Sequence, residues 1–260
     1  MTSPADLVAV AEDLARAAGD MALRGRKSGD VTATTKSSPT DMVTQYDKAS
    51  EELITHGLKT QRPDDGIVGE EGASKPSDTG ITWHIDPIDG TSNFFFDLPM
   101  WAVSIGAVDE HGPVVGVVYA PALGEMYTAY RGGGAYLNGR KIHVRNNTQL
   151  SDALVCTGFS YHVHQRIHHA QRVAQMMTHI RDIRRLGAAA IDLCFVACGR
   201  YDAYFEEHLH SWDLVAGQVI ATEAGAVLTD YEGNAVTPAQ VLCAQPGVQQ
   251  QLIHLIAQTS

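Results

Sequence analysis

Apolar side chains recur at Leu7, Val10, Ala11, Leu14, Ala18 and Met21, with charged residues between them. That spacing gathers them on one stripe of a helix and predicts an amphipathic α-helix near the start of the chain. Pro4 suits its first turn and Gly25 suits its stop. A second helix is predicted over about 43–59, with Leu53, Ile54 and Leu58 facing inward. The pattern then shortens. Residues 66–69 and 82–85 are strand-like runs, each leading to an acid. Between 101 and 136, the β-rich runs WAVSIGAV, VVGVVYA, EMYTAY and GAYLN are separated by Glu110-His111-Gly112-Pro113 and Arg131-Gly132-Gly133-Gly134. Strands joined by turns this short predict an antiparallel sheet. In the last third, strands at 153–157, 183–185, 202–205 and 226–228 alternate with helices at 163–180, 188–198 and 214–223, which predicts layered α/β structure. The fold class is therefore α+β passing into α/β. A single domain over 1–260 is expected, made of a half at about 1–148 carrying the informative acids and a half at about 149–260.

Composition narrows the functions. With 19 basic and 30 acidic side chains, the formal charge is −11, which opposes nonspecific binding to nucleic acid or anionic lipid. It does not oppose an anionic substrate, because bound divalent cations would invert the local field. The segment MTSPADLVAVAEDLARAAGD lacks the basic region and unbroken apolar core of a secretory signal, and no apolar run approaches the roughly 20 residues of a membrane span. Cys156, Cys194, Cys198 and Cys243 are sparse and show no zinc-type pairing. A cytoplasmic protein is the expectation.

The densest chemistry lies in Trp83-His84-Ile85-Asp86-Pro87-Ile88-Asp89-Gly90-Thr91-Ser92-Asn93-Phe94. Two aspartates three apart close an apolar run, and Pro87 biases Asp86 toward extended backbone while forcing a turn. Both carboxylates and the Ile88 carbonyl can then converge, as a hard cation such as Mg²⁺ requires. A helix starting at Gly90-Thr91 would turn free N–H groups toward the same point, where they suit a phosphate. An Asp-Pro-x-Asp-Gly segment is equally well read as a turn. The metal reading gains from Gly69-Glu70-Glu71-Gly72, which also ends an apolar strand, and from Trp212-Asp213 at a predicted helix start, where an N-cap is the plainer account.

Taken together, Asp47, Glu70-Glu71, Asp86-Pro87-Ile88-Asp89-Gly90-Thr91 and Trp212-Asp213 resemble the signature of the inositol monophosphatase family, the lithium-sensitive, Mg²⁺-dependent phosphatase superfamily. The likeness runs from about Lys36 to Gly225. It implies an α/β/α/β/α sandwich of the inositol monophosphatase and fructose-1,6-bisphosphatase type, a homodimer, and two or three Mg²⁺ per site. By resemblance, Glu70, Asp86, the Ile88 carbonyl and Asp89 hold the first metal, and Asp86, Asp89 and Asp213 the second. Thr91 and Asp47, with Glu70, orient and deprotonate the attacking water. Asp89, Gly90, Thr91, Ala189, Glu206 and Lys36 contact a small phosphorylated substrate. Ala188 stands where many relatives have Ser or Thr, and Ser160 is a weaker match.

The resemblance implies hydrolysis of a phosphate monoester, foremost inositol 1-phosphate. Histidinol phosphate is the alternative, and bisphosphates follow. A regulatory binding protein with a vestigial site is the reading from another class. Several features fall outside this scheme. His162, His164, His168 and His169 cluster, with His164 and His168 spaced for one helix face as metal-binding histidines sometimes are, but with no acid or third ligand placed beside them a solvated or substrate-adjacent segment is the expectation. His208 and His210 flank the predicted acids. Arg184 and Arg185 suit either solvent or a partner subunit's site. Cys194 and Cys198 suit core packing, and Gly132-Gly133-Gly134 suits a hairpin turn rather than a phosphate loop.

Overall fold

Helix α1 (Pro4–Ser28) starts at a capping box: the Ser3 hydroxyl accepts from Asp6 N, and the Asp6 carboxylate accepts from Ser3 N. The computed structural model describes residues 3–36, 38 and 40–259, so Ser37 and Pro39 lie outside the described residues. The helix does not stop at Gly25. It continues to Ser28 and ends at Gly29, whose φ of 81° gives the left-handed cap. Gly25 serves close packing instead, since a Cβ there would stand 2.0 Å from the Tyr46 ring.

Strands β1 (Ala33–Thr35) and β2 (Met42–Thr44) pair antiparallel, so Val43 belongs to a strand and α2 (Gln45–Gln61) begins just after it. The main sheet has eight strands: β3 (Gly66–Gly69), β4 (Ser74–Lys75), β5 (Thr82–Asp89), β6 (Ala102–Asp109), β7 (Gly112–Ala120), β8 (Glu125–Tyr130), β9 (Gly134–Leu137) and β10 (Arg140–Lys141). Their order is β10-β9-β8-β7-β6-β5-β3-β4. The short helix α3 (Thr91–Phe95) leaves the end of β5. The predicted meander from β6 to β9 is antiparallel throughout, and β3–β5 is the parallel pair of this sheet.

The second sheet, in the order β12-β11-β13-β15-β14, contains β11 (Leu154–Thr157), β12 (Asp182–Arg184), β13 (Ala203–Glu207), β14 (Val227–Thr229) and β15 (Gln240–Ala244). It is interleaved with α4 (Val163–Met176), α5 (Ala189–Ala197), α6 (Ser211–Glu223) and α7 (Pro246–Gln258). Strand β15 and helix α7 are additions to the elements predicted from sequence, although Val248, Leu252, Leu255 and Ile256 fall at i, i+4, i+7 and i+8 and form the buried stripe of the helix.

Helices α1 and α2 cover one face of the large sheet, α5 and α6 fill the space between the sheets, and α4 and α7 cover the far face of the small sheet. This is the α/β/α/β/α sandwich expected from the sequence. The strands of the large sheet are apolar on both faces because both are covered. Val115 and Val117 pack toward α1, while Val118 and Ala120 pack toward α5 and α6.

One contact fixes where α6 sits. Gly106 and Gly116 are cross-strand partners, and a Cβ on Gly116 would stand 2.2 Å from the Ala216 carbonyl oxygen. The helix backbone therefore rests directly on the sheet. Gly116→Ala is expected to destabilise the protein by about 3 kcal/mol or more, since a backbone atom must yield. Urea unfolding monitored by circular dichroism measures this, and an unchanged midpoint would refute the close seat.

Candidate active site

The site assembles from the ends of several elements around one cleft of about 630 Å³. Helix α2 supplies its first part. At its capping box, Thr44 N and Thr44 Oγ1 both donate to Asp47 Oδ2, which turns Oδ1 to receive the Thr91 hydroxyl at 2.9 Å. The Thr91 oxygen also lies 3.1 Å from the Ile88 carbonyl. A hydroxyl carries one proton and two lone pairs. With its proton held by Asp47 or Ile88, Thr91 keeps acceptor capacity for a water O–H.

One turn further along α2, Ser50 Oγ donates to the Pro87 carbonyl at 3.0 Å. The buried Glu51 carboxylate accepts from Glu71 N at 2.8 Å and Ala73 N at 2.9 Å. Sequence reasoning missed Glu51. Its signal was the i, i+4 spacing from Asp47, which puts both acids on one helix face.

Strand β5 supplies Asp86 and Asp89. In a regular strand, residues three apart point to opposite faces. Here the pairing of β5 with β6 shifts register between Asp86 and Asp89, where Pro87 has no N–H for the ladder. The bulge breaks the alternation. Ile88 N donates back to Asp86 Oδ1 at 3.0 Å. The Asp89 carboxylate accepts from Ala189 N at 3.0 Å and Ala190 N at 2.8 Å, the opening residues of α5, where free N–H groups favour an anion. The Ala189 N–H is thus directed at Asp89.

Asp213 is the third residue of α6, and its Oδ2 accepts from His210 N at 2.6 Å. It caps the helix and lines the cleft at once. Lys36 Nζ lies 2.8 Å from Glu70 Oε1 and also bonds Glu71. On β13, Glu206 accepts from Tyr204 OH at 2.6 Å.

Electrostatically the site is underneutralised. Burial, then mutual repulsion among Glu70, Asp86, Asp89 and Asp213, pushes the Asp86 carboxyl well above the usual carboxylate range. Burial and the Asp213 charge do the same to Asp89. Burial lifts Glu70 to about 7 against the opposing Lys36, and lifts Glu206 to about 7 against Tyr204 and Arg185. Asp47 is raised chiefly by burial, with the Thr44 and Thr91 hydrogen bonds opposing. Clustered carboxylates, a backbone carbonyl and no thiolate form an all-oxygen donor set suited to a hard cation. No three of the four acids bring ligand atoms within 4.8 Å of one another. Among the described residues, His169, Glu207 and His208 do so.

All eleven site residues read from the sequence lie in or beside this cleft; Asp47 stands just behind its wall, on Thr91. Ser160 and Arg185 line it as well, whereas Arg184 is exposed and pairs with Asp182. Most of the histidine cluster is the solvated, cleft-adjacent segment expected, with His162 exposed on the cleft wall. His164 and His168 are exposed, and His169 is the buried member, paired with Glu207. His210 stacks on Trp212 with ring centroids 4.6 Å apart. The triple-glycine segment does form the β8–β9 hairpin turn, and its Gly132 and Gly134 N–H groups grip the Glu223 carboxylate, at 2.8 Å each.

The sequence profile described as "Inositol monophosphatase family" matches residues 3–260. The chain is 42% identical over 271 aligned positions to inositol-1-monophosphatase SuhB of Mycobacterium tuberculosis, covering 96% of this chain and 93% of that one. It is 39% identical over 248 positions to a protein named Nus factor SuhB in Pasteurella multocida, covering 93% and 92%. Among solved structures, extragenic suppressor protein suhB of Bartonella henselae superposes with a TM-score of 0.92 at 31% identity, covering 96% of this chain and 98% of that one.

Proposed function

The chain belongs to the inositol monophosphatase family, and from that premise we propose that it is a Mg²⁺-dependent phosphatase that hydrolyses a small phosphate monoester, foremost inositol 1-phosphate. The observation that carries this reading is the set of buried, uncompensated carboxylates beside the Thr91–Asp47 pair. Glu70, Asp86, the Ile88 carbonyl, Asp89 and Asp213 would hold two or three Mg²⁺. When bound, Mg²⁺ supplies Lewis-acid stabilisation of charge on the phosphoryl oxygens and acidifies water.

The chain's own residues do the positioning. Thr91 accepts from the attacking water while donating to Asp47 Oδ1, so the water oxygen is held with a lone pair free for phosphorus. Asp47, whose proton affinity is raised by burial, takes up through Thr91 the water proton released as the new P–O bond forms, and the ester P–O bond breaks with the departing oxygen taking a proton from solvent to leave as the alcohol. The N–H groups of Gly90 and Thr91 orient phosphate oxygens. Glu206 and Lys36 bear on the alcohol and the charge around it, while Ala189, whose N–H is held by Asp89, lines the cleft beside them.

We assign the active form to a lithium-sensitive homodimer in the cytoplasm, in keeping with the family resemblance. Histidinol phosphate is the alternative substrate. A regulatory binding role is the second reading, favoured by the similarity to the Pasteurella Nus factor. Phosphate release is to be assayed with inositol 1-phosphate, histidinol phosphate, fructose 1,6-bisphosphate and adenosine 3′,5′-bisphosphate, each with Mg²⁺, without it, and with added Li⁺. The expected result is Mg²⁺-dependent, Li⁺-sensitive release favouring inositol 1-phosphate. Preference for histidinol phosphate moves the substrate and keeps the mechanism. No release from any of them sinks the phosphatase reading in favour of the binding role.

A further inference from the structure

The cleft wall carries a second donor cluster with a different chemistry. His169 on α4 and Glu207 and His208 at the end of β13 bring one ligand atom each to within 4.8 Å of the others. A tetrahedral Zn²⁺ site holds its ligand atoms about 3.3–3.6 Å apart, so His169 Nε2 and Glu207 Oε2, which lie 2.5 Å apart, would part to admit the ion. We propose that His169, Glu207 and His208 form a second metal site for a borderline cation such as Zn²⁺, distinct from the all-carboxylate set.

The donor chemistry supports that choice. Two imidazoles and one carboxylate match the three-ligand set of open zinc centres, whereas Mg²⁺ favours oxygen alone. Glu207 and His208 line the cleft, so a fourth position opens toward solvent or substrate. The surroundings hold the ligands in place. Arg172 Nη1 bonds Glu207 Oε2 at 3.1 Å. Support of a ligating carboxylate by a hydrogen-bonding neighbour is usual at metal sites.

His169 is 5% exposed, and its Nδ1 has no hydrogen-bond partner, so the protein leaves this ring incompletely satisfied. His208 adopts a φ of 66°, uncommon for a residue other than glycine. Its backbone N donates to the Ala239 carbonyl at 3.1 Å, and its ring lies 6.2 Å from that of His169 at an interplanar angle of 21°. Backbone strain of this kind collects where a side chain is held for a purpose. The Arg172 charge opposes a cation and makes this a site of moderate affinity.

Co²⁺, a coloured stand-in for Zn²⁺, is to be titrated into the full-length protein already saturated with Mg²⁺. The expected result is one equivalent giving the visible absorption of a four- or five-coordinate ion with nitrogen ligands, displaced by one equivalent of Zn²⁺. His208→Asn, which tolerates the left-handed backbone, should weaken binding by at least about tenfold. Asp86→Asn should leave it unchanged. Thermal melts establish that both variants are folded. Absence of the band in the wild-type protein overturns the proposal. So does a band that His208→Asn retains in full or that Asp86→Asn abolishes, since the ion would then sit on the carboxylate set.

Discussion

Asp86→Asn is expected to lower kcat/KM by at least about 10³-fold, the loss of roughly 4 kcal/mol of transition-state stabilisation, while making the metal-free protein more stable. The two effects have one origin. Asp86 is buried, and Glu70, Asp89 and Asp213 repel its charge. Removing one of several crowded, desolvated charges is expected to stabilise the metal-free fold by about 2 kcal/mol, a rise in Tm of about 4–8 °C at this chain length. The pH dependence follows with a definite sign. Carboxyls whose folded pKa lies above the unfolded value bind more protons in the native state, so metal-free stability falls as pH rises from the unfolded carboxylate range. For Glu70 the fall extends through about 7. Saturating Mg²⁺ should remove that slope in the wild-type protein by offsetting the charge, and should stabilise Asp86→Asn far less. Differential scanning calorimetry at pH 5, 6, 7 and 8, with Mg²⁺ and with chelator, tests all of this. A variant equally active, or less stable without metal, would remove Asp86 from the proposed ligand set.

Asp47→Asn is the second large effect, and it should fall on kcat alone. Loss of about 10²–10³-fold is expected, with KM and the Mg²⁺ requirement little changed. The reason lies in the hydrogen-bond polarity. Thr44 N and Oγ1 both donate to Asp47 Oδ2, so an asparagine oxygen must stay there to keep the cap. Its amide N–H₂ then faces Thr91 and donates where Asp47 accepted. The Thr91 proton then turns to the Ile88 carbonyl, the amide occupies one of the hydroxyl's lone pairs, and the attacking water loses the carboxylate that would take up its proton. Thr91→Val should show a similar loss, and Thr91→Ser should recover most of it. If Asp47→Asn instead raised KM at constant kcat, Asp47 would belong to substrate binding.

Much of this arrangement was legible in sequence, for physical reasons. The near-continuous apolar runs from 101 to 136 can bury both faces only in a covered sheet, and that sheet is what forms. The acids in Asp86-Pro87-Ile88-Asp89 stand out in sequence because proline at the end of an apolar run suggests a turn; in the structure the strand runs on through Asp89 and a bulge, not a turn, lets residues three apart cooperate. Other parts left weaker signals. Gly25 looked like a stop because its packing partner, Tyr46, is distant in sequence. Helix α7 carries the stripe Val248, Leu252, Leu255 and Ile256, but nothing in that pattern shows that Gln249 is buried and bonds Thr229. The pairing of His169 with Glu207 crosses from α4 to β13, and helix periodicity along 162–169 carries no information about it. Glu51 reads as an ordinary helical acid until the fold places the backbone N–H groups of Glu71 and Ala73 against it.

Asp47, Ser50 and Glu51 share one face of α2, and each fastens a different strand-end or loop: Thr91 after β5, the Pro87 bulge, and the turn after β3. Their mutual phase is therefore set by a single helical repeat. One residue inserted between Thr44 and Asp47 would rotate the following helix by about 100° relative to its cap, and all three fastenings would fail together. The same insertion in the turn between β8 and β9 would disturb a hairpin and the Glu223 contact while leaving that phase intact. Lineages of this chain should accordingly vary in length at the hairpin and hold α2 at constant length, so that the catalytic geometry behaves in evolution as one indivisible unit.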